Sequence, residues 1–364
     1  MQVVTSRFTE TSRRGGRLQT TIVATPPGGT AVEIEPTACQ VTKQSGPGVR
    51  WEANITATYS QDAYEVLRTP GTLVAVEHGY RYGRRDSELI PMGVYEVAKR
   101  PNRTWGGEIG VDLQDRWGRL EECRFLLPET VNAGTNRRTA TINMVFGAIP
   151  DAVIVDGTND GGTVTTATAF DRDRAQAIAD LARDGELECG FTATGAFEAV
   201  ALPVIGGSVA TFTDRDGADM AWLSDEALYE RLYNAVQVSS APPDGGDPLF
   251  SPQTMRIGNP DHPRHPSNIG LRPYFYSSPT ISQPVDARRV AAEMLWRVTQ
   301  EPTRVAVSTW GYPHLEVGDT VTIVAPDRSD GLFLVEKVTH DCMTNATSFV
   351  ARSMSDIPLQ EEAV

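Results

Sequence analysis

Two histidines, His262-Pro-Arg-His265, are the closest thing in the 364-residue chain to a metal pair. The flanking Pro263 and Pro266 preclude a regular helix, and no cysteine or third histidine lies near in sequence, so surface-loop histidines are expected there. Asp156-Gly-Thr-Asn-Asp160-Gly-Gly162 sets oxygen ligands beside glycine but lacks the alternating acidic spacing and terminal glutamate of a calcium loop, and reads as a flexible hinge. Gly15-Gly16, Gly28-Gly29 and Gly206-Gly207 build neither a dinucleotide fingerprint nor a phosphate loop, and read as turns. There is no Gly-x-Ser-x-Gly elbow, and the histidines have no evident nucleophile partner. Among 47 acidic residues a pair for glycoside hydrolysis can always be nominated, but spacing in sequence cannot show the required separation of roughly 5 to 9.5 Å. Cys39, Cys123, Cys189 and Cys342 form no CxxC pair and suggest buried reduced thiols rather than a zinc site or a disulfide framework. The pairs Arg13-Arg14, Arg84-Arg85 and Arg137-Arg138 fall on predicted loops or element ends, either as solvated charge or as forks for acidic faces of neighbouring subunits. No catalytic, cofactor-binding or metal-binding residue is assigned, no cofactor is implied, and enzyme activity is not expected.

The elements that would position such groups are mostly strands. Hydrophobic residues at 40% and charged residues at 22% describe an ordinary folded chain, long enough for two to four domains. Thirty-three basic against 47 acidic residues give a net charge of −14, which argues against stable nucleic-acid binding but suits a surface past which nucleic acid must slide. The N-terminus lacks a signal-like apolar core and no stretch approaches the roughly eighteen apolar residues of a membrane span, so synthesis in a cytosol without membrane insertion is expected.

Short β-branched or aromatic runs at 18–23, 31–34, 49–59, 72–77 and 93–98, separated by turns such as Pro26-Pro-Gly-Gly29, predict a small antiparallel barrel or sandwich. Beyond 115–128 the pattern becomes mixed. Thr139 or Thr141 would cap a helix carrying Ile142, Val145, Phe146 and Ile149, and Asp171 a second carrying Ala175, Ile178, Leu181 and Ala182. A hairpin over 188–200 bends at Gly195. Strand 234–239 precedes a long irregular loop, 241–283, expected to be disordered or to contact a partner. An amphipathic helix then spans 284–300, its stripe of Ala287, Val290, Ala291, Met294, Leu295 and Val298 facing a sheet. Strands at 303–309, 319–324, 332–339 and 348–353 close the pattern.

The two ends resemble each other. Gly71-Thr-Leu-Val-Ala-Val76 aligns with Gly318-Asp-Thr-Val-Thr-Ile323, and Gly93-Val-Tyr-Glu-Val97 with Gly331-Leu-Phe-Leu-Val335, the first copy having a loop 9 residues longer. Two similar β units in one chain would let three chains present a ring of six.

In order along nearly the whole chain, the segments Asp115-Arg-Trp-Gly-Arg-Leu120 and Arg124-Phe-Leu-Leu127, Glu188-Cys-Gly-Phe191 through Val200, Leu232-Tyr-Asn-Ala-Val-Gln-Val238, the helix and the Gly318 and Gly331 strands resemble the tail hub, or baseplate hub, proteins of tailed bacteriophages. That resemblance implies a mainly β fold: a first β-barrel domain over 1–120, an α+β middle domain over 121–223, a second β-barrel domain over 224–353 and a C-terminal tail over 354–364. It further implies a homotrimer in the virion, closing the distal end of the tail tube, joined to the distal tail protein ring and to tail tip or fibre proteins. Tape measure protein and DNA would pass through the lumen, DNA only transiently. Some hubs carry a fused wall-degrading domain, and no domain-sized region follows Ser353 here. Two other expectations stand beside this one: a phage-associated glycoside hydrolase or carbohydrate-binding protein with the 241–283 loop as sugar cleft, and a different ring component such as a distal tail or spike-base protein.

Overall fold

The computed structural model describes every residue except 47, 85, 100, 104–106, 156, 158–160, 202, 204, 214–219, 228–231, 242–246, 300–302, 325–330, 354–360 and 364. The fold is mainly β. Helix α1 (Ser6–Arg14), capped by the Thr5 hydroxyl, drops Phe8 against Tyr80. There follow β1 (Arg17–Thr25), β2 (Val32–Ile34), β3 (Pro36–Gln44), β4 (Trp51–Thr58), α2 (Gln61–Leu67), β5 (Leu73–Arg81), β6 (Ser87–Val97), β7 (Asn102–Arg103), β8 (Glu108–Gln114) and α3 (Trp117–Glu122). Alternation sets the faces: Trp51, Ala53, Ile55 and Ala57 of β4 point inward while Glu52, Asn54 and Thr58 point out. The inward residues join Ile22, Val41, Val76 and Tyr95 in one core.

A second core lies between β9 (Glu129–Val131), α4 (Arg137–Ala148), β10 (Thr168–Phe170), α5 (Arg174–Asp184) and the hairpin β11 (Leu187–Phe191) and β12 (Phe197–Ala201). Its helices start elsewhere than expected. Asn136 caps α4 and Asp173 caps α5, each through a side-chain oxygen accepting the backbone N–H three residues on. The earlier start of α4 turns Ala140, Thr141, Met144 and Val145 inward and leaves Phe146 exposed.

The chain continues through β13 (Ala210–Thr213), β14 (Met220–Ala227), β15 (Ala235–Ser240), β16 (Gln253–Ile257), α6 (Pro266–Ile269), β17 (Pro273–Ser278), α7 (Pro284–Thr299), β18 (Thr303–Trp310), β19 (Thr320–Val324), β20 (Gly331–Asp341), β21 (Ala346–Ser353) and β22 (Glu361–Ala363). The stretch expected as a long loop thus contributes β16, α6 and β17. With β15 and β22 its two strands form a four-stranded sheet, on which α7 lays Ala287, Val290, Ala291, Met294 and Leu295. Residues 361–363, expected in a tail, pair with β16.

Fourteen strands form one sheet, whose main path runs β14-β18-β21-β20-β3-β4-β8-β6-β5-β1-β2. That path is open, and no closed barrel forms among the described strands. The expected pair of barrels is corrected by a single ladder: β20, instead of closing on its own set, pairs antiparallel with β3, from Lys337 opposite Gln44 to Asp341 opposite Gln40. None of the described helices is long and apolar enough to cross a membrane.

Candidate assembly interface

The doubled hairpin seen in the sequence is a doubled set of five strands. The order β3-β4-β8-β6-β5 recurs as β14-β18-β21-β20-β19. Register recurs with it. Val74 lies opposite Tyr95 and Val76 opposite Gly93, as Val321 lies opposite Phe333 and Ile323 opposite Gly331. Glu96 and Val97 face Gln114 and Leu113, as Leu334 and Val335 face Arg352 and Ala351. A one-residue slip would turn every side chain to the opposite face, so agreement over several ladders is specific. Gly71 and Gly318 have φ of +80° and +86°, and a Cβ on either would approach a proline, Pro27 or Pro203, to 3.2 or 3.3 Å. The outermost strands differ: β1 joins β5 antiparallel, β13 joins β19 parallel.

Inside one chain the sets are joined through β20 and β3. Their counterparts in the other set, β7 continuing β6 along β8, and β14, each have one ladder partner among the described residues and one open side. Asn102 and Arg103 on the first edge are exposed, with the Arg103 guanidinium 4.1 Å above the Tyr59 ring.

Buried polar groups hold the parts together. Asp115 accepts from the N–H groups of Arg50, Trp51 and Trp117 at 2.8 to 3.0 Å, tying β4 to α3; burial pushes its carboxyl up to about 6 in spite of those donors. Arg50 reaches Glu188 and Glu198 on the hairpin at 3.0 and 3.4 Å. Asp184 accepts from Tyr276 and Ser278 and is likewise raised to about 6, mainly by burial. Lys43, buried at the junction, donates to the Leu315 carbonyl and is lowered to about 8 by burial.

The residues singled out in the sequence scatter. His262 is buried and accepts from the Arg264 N–H, while His265 caps α6, so the two do not form a metal pair and His262 is not a surface histidine. Arg137 and Arg138 are neither solvated loop charge nor free forks, since both donate to backbone carbonyls within the chain, at Gly161, Val155 and Ala199. Arg14 pairs with Glu10; Arg85 lies outside the described residues, as do Asp156 and residues 158–160. Within Arg124-Phe-Leu-Leu127, Phe125 is covered by the Arg174 guanidinium whereas Leu126 is 98% exposed and Leu127 79%. A cavity of about 480 Å³ opens between Trp117, Cys189, Trp296 and Leu334, and no described residue of 241–283 lines it. Sequence reasoning missed one cluster, His78, His340 and Cys342, which come from distant parts of the chain and gather their ligand atoms within 4.8 Å of one another. No local spacing could have disclosed it.

No protein-family model matches the chain, and no curated protein sequence does. Solved structures do. A tail protein from Neisseria meningitidis MC58 is 13% identical with a TM-score of 0.65, over 93% of this chain and 97% of that one. A prophage MuSo2 43 kDa tail protein from Shewanella oneidensis is 12% identical with a TM-score of 0.62, over 92% and 98%. A prophage tail protein, gp18, from Listeria monocytogenes EGD-e is 12% identical with a TM-score of 0.57, over 93% and 95%. End to end, the chain has the fold of prophage tail proteins.

Proposed function

We propose that the protein is a structural virion component, the trimeric hub that closes the distal end of a phage tail tube and joins the distal tail ring to tip or fibre proteins. The observation that carries this is the five-strand set present twice in one register. Three chains then supply six near-equivalent units, which is what a ring-stacked tube requires at its end. The shared fold with prophage tail proteins supports the same reading. A net charge of −14 suits a lumen through which DNA and tape measure protein pass without sticking. The first unit spans 1–120 and the α+β segment follows it; the second unit runs to 353 and begins with β13 and β14, ahead of the expected residue 224.

The intrachain junction supports one way for copies to join. Asn102 and Arg103 stand to Gly110 and Ile109 as Thr339 and His340 stand to Ser348 and Thr347. Glu226 and Asp225 stand to Arg304 and Val305 as Thr42 and Val41 stand to Glu52 and Ala53. Since Thr339 and His340 lie opposite Thr42 and Val41, the copy-to-copy ladder sets Asn102 and Arg103 of one chain opposite Glu226 and Asp225 of the next. Arg103 thereby takes a register position opposite an acidic residue, and Pro101, which has no N–H to donate, keeps the ladder short.

Light scattering on the eluting protein is expected to give three copies of the 39.6 kDa chain. Arg103→Asp should dissociate them, and Asp225→Arg added to it should restore them. A trimer indifferent to both reversals discards the ladder. A chain that stays at one protomer mass at every concentration and is missing from purified virions discards the hub.

A further inference from the structure

We propose that His78, His340, Cys342 and Cys39 form a structural zinc site that staples the two strand sets together. His78 lies on β5 and Cys39 on β3, in the first set; His340 is next to last on β20 and Cys342 follows the strand, in the second. All four are buried. The ladder of β20 and β3 continues to Cys342 opposite Cys39, where the Cys342 N–H donates to the Cys39 carbonyl at 2.9 Å, so the two side chains leave the same face. The imidazole rings are 4.9 Å apart.

The hydrogen bonds around the cluster leave one buried ring nitrogen, His340 Nε2, without a partner. Ser12 gives its one hydroxyl proton to the Gly311 carbonyl, so it accepts from Tyr80; Tyr80, its proton spent, accepts from the Asn345 amide. Asn345 must then turn its carbonyl oxygen toward His78 Nε2, 3.4 Å away. On the other side of the ring, the Thr20 hydroxyl lies 3.0 Å from His78 Nδ1 and 3.2 Å from the Cys342 carbonyl. With its proton on Nδ1 and held by Thr20, a neutral imidazole offers a bare Nε2 to a metal. His340 repeats the pattern: Nδ1 meets the Thr347 hydroxyl at 2.9 Å, and the buried Nε2 has no partner.

A cation supplies His340 Nε2 with a partner. Two imidazoles and two thiols are the donor set of a closed tetrahedral zinc site, and Nδ1–H bonded to an outer acceptor is how ligating histidines are held. Both thiols give up their protons to solvent as Zn²⁺ enters, so the filled site of one dication and two thiolates carries no net charge, as a buried site requires. Bond lengths near 2.0 to 2.3 Å put such ligands about 3.3 to 3.8 Å apart, so the widest gap among His78, His340 and Cys342 closes by about 1 Å.

Full-length protein stripped of metal and dialysed against zinc is expected to hold one zinc per chain by mass spectrometry. With cobalt(II) it should show tetrahedral ligand-field bands and a thiolate charge-transfer band. Cys342→Ser and His340→Gln should abolish both signals, Cys189→Ser, a buried thiol elsewhere, should leave them, and Thr20→Val should weaken cobalt binding by about 10- to 100-fold. A wild-type chain that takes up no zinc and shows no cobalt bands overturns the proposal, and needs no variant to fold. Cobalt bands unchanged in Cys342→Ser, or a Cys39–Cys342 disulfide in protein prepared under reducing conditions, overturn it equally.

Discussion

Removing the Arg50 guanidinium tests what holds the hairpin β11–β12 against the first strand set. Its side chain is 10% exposed, and those of Glu188 and Glu198 are 12% and 24% exposed. A Cβ on Gly190 would fall 2.3 Å from the Arg50 side chain, so the arginine crosses the hairpin backbone at a position with no room for a larger residue. Breaking a buried pair costs about 3 to 5 kcal/mol, chiefly through the charge left behind. Partial exposure of the carboxylates brings Arg50→Met to about 2 to 4 kcal/mol at pH 7.5. Burial already raises Glu198, and Arg50 is the main influence lowering it. Without Arg50 the folded-state pKa climbs further above the unfolded value, so the folded chain takes up a proton as the pH falls and recovers stability. Urea unfolding followed by tryptophan fluorescence, with hydrogen exchange at 187–201, should show the penalty at pH 7.5 and most of it gone at pH 4.5. A loss below about 1 kcal/mol, or an equal loss at both pH values, would refute the electrostatic reasoning.

Asp184 offers a second pH test. Its folded-state pKa of about 6 exceeds the unfolded value near 3.9, so its contribution is present below about 4 and lost as the pH rises through 6. The swing is about 3 kcal/mol at most, and Asp184→Asn should flatten the stability profile between pH 4 and 6.5. Gly71→Ala and Gly318→Ala should each cost about 1 to 3 kcal/mol in thermal or urea unfolding, since both positions have positive φ and face a proline. Equal costs at the two positions are expected from their equivalence in the two strand sets.

Much of the fold is written locally. The strands around Leu18, Ile55, Val74 and Val94, the hairpin bent at Gly195 and the apolar stripe of α7 follow from alternation, glycine turns and helical spacing, because those signals come from residues a few positions apart. The doubled hairpin was legible for the same reason: Gly71 and Gly318 mark a turn that glycine satisfies most readily. Strands β16 and β17 were not legible, since Pro, Gly and Asp crowd the chain around them and only pairing with β15 makes them strands. The start of α4 was missed because two threonines competed with Asn136 as caps, and only packing against α5 decides which face turns inward.

The sequence by itself determined a mainly β chain with a repeated turn and strand pattern and with no local catalytic motif. Only the tertiary structure decided that β20 pairs with β3, joining two strand sets into one sheet where two closed barrels were expected. The same ladder brings Cys342 opposite Cys39, residues separated by most of the chain. Contacts between residues so far apart leave no periodicity to read, because neither strand's own pattern names the edge it will meet.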